Sequence, residues 1–218
     1  MKSGKLTTIS LLYLSALLFN VSIMGKVILR NKKVFGVGVN DFQGCTCDSS
    51  GRINRPYRDW YNMLSRCYCK IKNAPTYNGC IVCDEWLYSS NFIKWHNEHY
   101  IEGFQLDKDI LIKGNKVYSP ATCAFVPQEI NSLFTKHNAT RGKYPIGVYK
   151  NSRGKGYDAK VWMPKGCVNK RFDTVDEAFN AYKESKEAYI KIIADKYKGV
   201  ISDEIYNAMY KYQVEITD

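Results

Sequence analysis

The chain has 218 residues, 45% apolar and 24% charged, with 32 Lys and Arg against 21 Asp and Glu and a formal charge of +11. That length and apolar share exclude a disordered or fibrous chain and leave room for one large domain or two small ones, each with a real core. The positive surplus says nothing of fold, but it favours a polyanionic partner, nucleic acid or an anionic membrane surface, and 17 Tyr add aromatic faces suited to sugars and bases.

In chain order, Lys2 and Lys5 precede a largely apolar run from Ile9 to Ile23. Such a run reads as a signal peptide or short membrane anchor, which would make this a secreted or membrane-anchored basic protein with disulfides. Asn20 and several Ser and Thr dilute it, and Met24-Gly25-Lys26 offers a second start. Residues 1–23 are therefore read first as an upstream extension, with a signal, an anchor or a core helix as the other readings. The extension implies a cytoplasmic protein.

Cysteines stand at 45, 47, 67, 69, 80, 83, 123 and 167. Three readings are open: buried free thiols, disulfides, or a thiolate zinc site, for which only Cys80-x-x-Cys83 has a common ligand spacing.

Residues 24–135 read as a first domain. Val27 to Gly51 gives short strands and a polar loop. Trp60, Met63, Leu64 and Cys67 recur at helical spacing, with Asp59 favouring the start of that helix. A short strand near Cys80–Cys83 follows, then a helix capped by Ser89 or Ser90 with Phe92 and Trp95 on one face. Gly114-Asn115 makes a hairpin-like turn, Cys123 to Val126 a strand, and Pro127 to Asn131 opens a last helix.

Residues 136–143 form a basic linker, and 144–198 read as a second domain. Ile146 and Val148 start a strand, and Asn151 to Gly156 is a flexible, basic turn. Tyr157, Ala159 and Val161 alternate with Asp158, Lys160 and Trp162, so one face is apolar and the other basic and aromatic. A third strand runs from Cys167 to Phe172. Thr174 and Glu177 form a capping box for a helix whose stripe is Val175, Ala178, Phe179, Tyr182, Tyr189 and Ile192. Residues 199–218 are a tail with some helical pattern. The fold class is α+β, ending in a three-stranded antiparallel sheet packed on one helix.

Between Arg141 and Arg171 stand nine Lys or Arg and a single acid, Asp158. A two- or three-stranded sheet fits the DNA major groove, so this face is expected to bind double-stranded DNA. Lys150, Arg153, Lys155, Lys160, Lys170 and Arg171 are the expected phosphate contacts, with Tyr149 and Trp162 packing on sugar or a thymine methyl. No small-molecule substrate is implied, and a membrane only if the N-terminal run is an anchor.

Gly147-Val148-Tyr149, Gly154 to Val161, Phe172-Asp173-Thr174, Glu177-Ala178 and Ala181-Tyr182 together resemble the Apetala-two type DNA-binding domain. That family occurs in plant transcription factors and phage endonucleases, and the resemblance implies a sheet lying in the major groove. Lys170-Arg171 replaces the usual Leu-Gly, and Tyr149 replaces an Arg common in the plant proteins.

The first domain resembles the HNH-type endonuclease modules of phages. The residues concerned are Arg66-Cys67, Cys83 to Trp86, Phe92, Trp95, Leu106 to Ile110, Gly114-Asn115, Tyr118 to Pro120, Thr122-Cys123 and Gln128 to Asn131. Such modules often precede an Apetala-two domain in homing endonucleases. The resemblance implies a catalytic set of Asp107, Asp109 and Asn131, with Asp107 and Asp109 holding Mg or Mn through oxygen. The usual general-base His position is Lys108, and an ammonium is a poor base at neutral pH. A DNA-binding or regulatory protein without cleavage is the alternative.

Overall fold

The computed structural model describes residues 33–47, 49–69, 77–134, 143–152, 154–163, 166–216 and 218, except the side chains of 162–163 and 166–168. The described chain is α+β and divides after Glu98 into two units. The N-terminal apolar run and most of the basic linker lie outside the described residues. Among the described residues no helix is long and apolar enough to cross a membrane.

In the first unit, helix α1 spans Arg55–Tyr68. It opens four residues earlier than Asp59 because the Asn54 side chain accepts from Tyr57 N at 3.1 Å, and Pro56 sits in the first turn, where its missing amide costs nothing. Asp59 lies inside the helix instead. Trp60, Met63 and Leu64 are fully buried, as their spacing predicts. The chain at Gly38 passes so close that an added Cβ would fall 2.4 Å from Leu64 and 3.1 Å from Trp60.

Strand β1, Ile81–Val82, and a 3₁₀ turn at Asp84–Leu87 bring Trp86 into the core, where Trp60 Nε1 donates to its carbonyl at 2.8 Å. Helix α2, Ser89–His99, adds Phe92 and Trp95, whose rings lie 5.0 and 4.7 Å from Trp86. The cap of α2 comes from a distance. Asp41 accepts from Ser90 N at 2.9 Å and from Ser90 Oγ at 2.7 Å, while Ser89 Oγ points to Asn40 and Asp41.

In the second unit, β2 (Phe104–Asp107) pairs antiparallel with β4 (Ala124–Pro127), from Phe104↔Pro127 to Asp107↔Ala124. Strand β3, Val117–Tyr118, lies between them in sequence, and α3, Gln128–Leu133, follows β4 without a break. The turn expected at Gly114-Asn115 is present, with Gly114 at φ +76°.

Strands β5 (Val148–Lys150), β6 (Tyr157–Met163) and β7 (Gly166–Phe172) form an antiparallel sheet in that order. It packs on α4, Val175–Lys196, through Val148, Ala159 and Val161 against Ala178, Phe179 and Tyr182. Gly147 is required there, because a Cβ would lie 2.0 Å from the Tyr182 ring. The predicted capping box is formed: Thr174 Oγ1 accepts from Glu177 N, and Glu177 Oε2 accepts from Thr174 N, both at 3.2 Å.

One expected stripe residue differs. Ile192 is 61% exposed, and the buried positions in the last turns are Tyr189, Ile190, Ile193 and Ala194. The reason is a change of partner. Beyond the sheet, α4 packs on α5, Asp203–Tyr210, which carries Ile205 and Met209 inward. The closing segment then returns Val214 to the sheet core, and Lys113 Nζ holds it by Gln213 O and Asp218 Oδ2, each at 2.7 Å.

Candidate nucleic-acid interface

Cross-strand partners in a pleated sheet share a face, so the register assigns each side chain. Val148, Ala159 and Val161 face α4. Tyr149↔Asp158↔Arg171 and Lys160↔Asn169 therefore form the opposite, free face. Tyr149 is 44% exposed, and Lys160 Nζ lies over its ring at 5.1 Å from the centroid. Arg171 and Asn169 are exposed.

The acid in this face is not exposed. Asp158 is buried, with Asn151 Nδ2 donating to both of its oxygens and Arg171 Nε at 3.9 Å. Asn151 also closes the turn through its backbone, donating to Gly156 O at 3.2 Å. Gly156, at φ +72°, lets that turn lie on β7, where a Cβ would fall 2.5 Å from Phe172 O. The carboxylate thus anchors the β5–β6 turn beneath a basic rim.

The remaining expected contacts lie elsewhere. Lys150 pairs with Tyr157 and Lys170 with Ala159, so both belong to the α4-side rows, although both are exposed. Lys150 Nζ sits 4.3 Å from the Tyr157 ring centroid. Lys155 is exposed in the turn, Arg153 is outside the described residues, and Trp162 is placed by backbone register alone, opposite Cys167. Asn169 joins this face without being among the residues expected from charge. The signal was its place two residues before Arg171, on the same face.

The β2–β4–α3 unit holds the other candidate residues. Asp107 closes β2, and its Oδ1 accepts from Asp109 N at 2.8 Å and Ile110 N at 2.7 Å. Burial, helped by the Asp109 charge, raises its pKa above the ordinary carboxylate range against those two amides. Lys108 is buried, and its Nζ reaches both Asp109 oxygens at 2.7 Å and Asn115 O at 2.8 Å. Asn115 answers by donating to Lys108 O and Val117 O. Cys123, packed nearby, has its thiol pushed up to about 12, chiefly by burial. Asn131 Nδ2 donates to Gln105 Oε1 at 2.7 Å, and Gln105 shares a strand face with Asp107.

These donors fit a divalent ion poorly. A cation on Asp109 would meet the Lys108 ammonium on the same two oxygens, and Asp107 Oδ1 is already filled by amides. His96, in the first unit, is buried with Nε2 3.2 Å from Asp59 Oδ2, which Arg55 Nε also reaches at 2.7 Å. Cys80 is buried and Cys83 half-buried, its thiol raised by burial. Among the described residues, no group of three or more His, Cys, Asp or Glu is placed to hold a metal, and Cys45, Cys47, Cys67, Cys69, Cys80, Cys83 and Cys123 are free thiols. No protein-family model, curated protein or solved structure matches the chain.

Proposed function

We propose that this chain is a double-stranded DNA-binding protein of the phage homing-endonuclease type that reads the major groove with its three-stranded sheet. The observation that carries the reading is the free face of that sheet. Tyr149, Lys160, Asn169 and Arg171 stand there in adjacent rows, and its lone acid is buried. Arg and Lys supply phosphate or guanine contacts, Asn suits adenine, and Tyr covers a sugar or a thymine methyl. Lys155, exposed in the β5–β6 turn, adds a cation at the edge of that face.

In this reading the β2–β4–α3 unit is a scaffold that does not cut. Its key lysine is spent on an internal ion pair, where a base would have to be free to take a proton from water. Cleavage is the second reading because Asp107 ends β2 and Asn131 stands on the helix that follows β4, the two positions that the HNH resemblance gives to a metal ligand and to the closing helix.

Titrating the full chain into a labelled duplex at several salt concentrations tests the proposal. Lys160→Ala with Arg171→Ala should weaken binding and lower the salt slope by about two. An unchanged slope and affinity would show that the sheet face is not the contact. Supercoiled plasmid with Mg²⁺ or Mn²⁺ should remain uncut; nicking that disappears in Asp107→Ala would establish the second reading.

A further inference from the structure

Helix α1 has a second face that the core does not use. Trp60, Met63 and Leu64 point inward, while Arg58, Tyr61, Asn62 and Arg66, at i, i+3, i+4 and i+8, are exposed along the other side. The helix has one acid, Asp59, and it is turned to Arg55 and His96. The exposed stripe is therefore basic, aromatic and amide-bearing, without a carboxylate of its own.

A strained residue completes this face. Phe35 has φ +52° and is the only non-glycine residue with positive φ among the described residues. It heads a tight loop closed by Val34 N donating to Gly38 O at 2.8 Å, and its ring lies 4.9 Å from that of Tyr61, tilted by 55°. Backbone strain of this kind persists where the surroundings hold it, and it gathers at ligand contacts. Here it presents a ring beside a half-exposed tyrosine, in a loop that starts at the exposed Lys33.

We infer that Phe35, Arg58, Tyr61 and Asn62 form a second contact for the sugar–phosphate backbone of duplex DNA, in addition to the sheet of the other unit. Charge complementarity selects the partner: an arginine that makes no ion pair among the described residues takes a phosphate, the amide of Asn62 donates to a neighbouring one, and the paired rings cover deoxyribose. The contact is sequence-independent. It adds affinity and salt dependence, while base choice stays with the sheet. The inference rests on the DNA-binding reading above.

The test uses the full chain and a labelled duplex of random sequence. Arg58→Ala with Tyr61→Ala should weaken binding about tenfold and reduce the salt slope by about one, with an unchanged far-ultraviolet circular dichroism spectrum. Arg58→Lys with Tyr61 intact should keep the slope. Phe35→Gly, which relieves the left-handed backbone, should melt no lower than wild type yet bind more weakly. If the α1 variants bind like wild type while Lys160→Ala with Arg171→Ala is weakened, this inference falls and the sheet reading survives. If wild type binds no duplex, both fall.

Discussion

Asn151 Nδ2 reaches both carboxylate oxygens of Asp158, at 2.8 and 3.0 Å, and both residues are buried. One amide thereby fixes the position of the single acid in a strongly basic sheet and closes the turn between β5 and β6 in the same stroke. Asn151→Ala leaves a buried carboxylate short of its donor, which costs roughly 1–3 kcal/mol and loosens the turn that presents Lys155. The expected outcome is a lower melting temperature together with weaker DNA binding. Asp158→Asn, which keeps a hydrogen-bonding group and removes the charge, should lose less stability. Equal stability of Asn151→Ala and wild type would show that water replaces the amide at no cost.

Asp107 makes the opposite kind of prediction. Its pKa is raised by burial, with the Asp109 charge adding to the effect. A carboxyl whose folded pKa is raised favours folding while it is protonated, below its unfolded pKa, and that contribution is lost as pH rises through the folded pKa. At neutral pH the ionised group is thus a cost. Asp107→Asn keeps an oxygen for the amides of Asp109 and Ile110 without the charge, so it should raise the melting temperature at pH 7. The gain should vanish in acid, where wild type is protonated too. Denaturation of both proteins across pH measures this directly. A gain that persists at low pH would place its origin outside the titration of Asp107.

Asp59 and Asp41 carry the reverse sign. Burial works against ionisation in both. For Asp59, the His96 and Arg55 contacts overcome it; for Asp41, hydrogen bonds from Ser90 and Ser89 do. Their folded pKa values are lowered, so their stabilisation is present above the unfolded carboxylate pKa and is lost as pH falls through the folded values. Asp59→Asn should remove that part of the acid dependence and should destabilise at neutral pH, because Arg55 and His96 lose their anion. The check is the slope of stability against pH on the acid side, which should be shallower in the variant. An unaltered slope would mean that Asp59 does not contribute.

The sheet was legible because its information is local. Alternation from Tyr157 to Val161, a Thr174–Glu177 capping box and glycine turns all act within a few residues, and the structure follows them. What was hidden depends on partners far away in sequence. The cap of α2 is Asp41, 49 residues from Ser90, and no spacing rule reaches that far. Asp59 offered itself as a helix-start acid because acids favour first turns, but Asn54 lay closer to the true start. Charge alone assigns Lys150 and Lys170 to the DNA face, and pleat parity sends them to the other side of the sheet. Extending the face that serves the sheet puts Ile192 on the buried stripe, but the last turns serve α5. Ile190→Ala should therefore cost about 2–5 kcal/mol, and Ile192→Lys less than about 0.5 kcal/mol. Comparable losses from the two would refute this assignment of the helix face.

Lys108 separates a scaffold from a catalyst. Its ammonium is buried, ties both Asp109 oxygens to the Asn115 carbonyl, and lies 5.9 Å from the Tyr118 ring centroid. Lys108→Met keeps the length of the side chain and removes the charge. Asn115 O then loses its donor inside the protein, while Asp109, nearly half exposed, turns to water. The solvent access of Asp109 discounts the ion pair, so the loss should be about 1–3 kcal/mol and not the larger cost of breaking a fully buried pair. As a scaffold residue, Lys108 should affect DNA affinity only through stability: at a temperature where the variant is fully folded, its binding curve should overlay that of wild type. Loss of a plasmid-nicking activity in folded Lys108→Met, with binding intact, would instead give this lysine a part in chemistry.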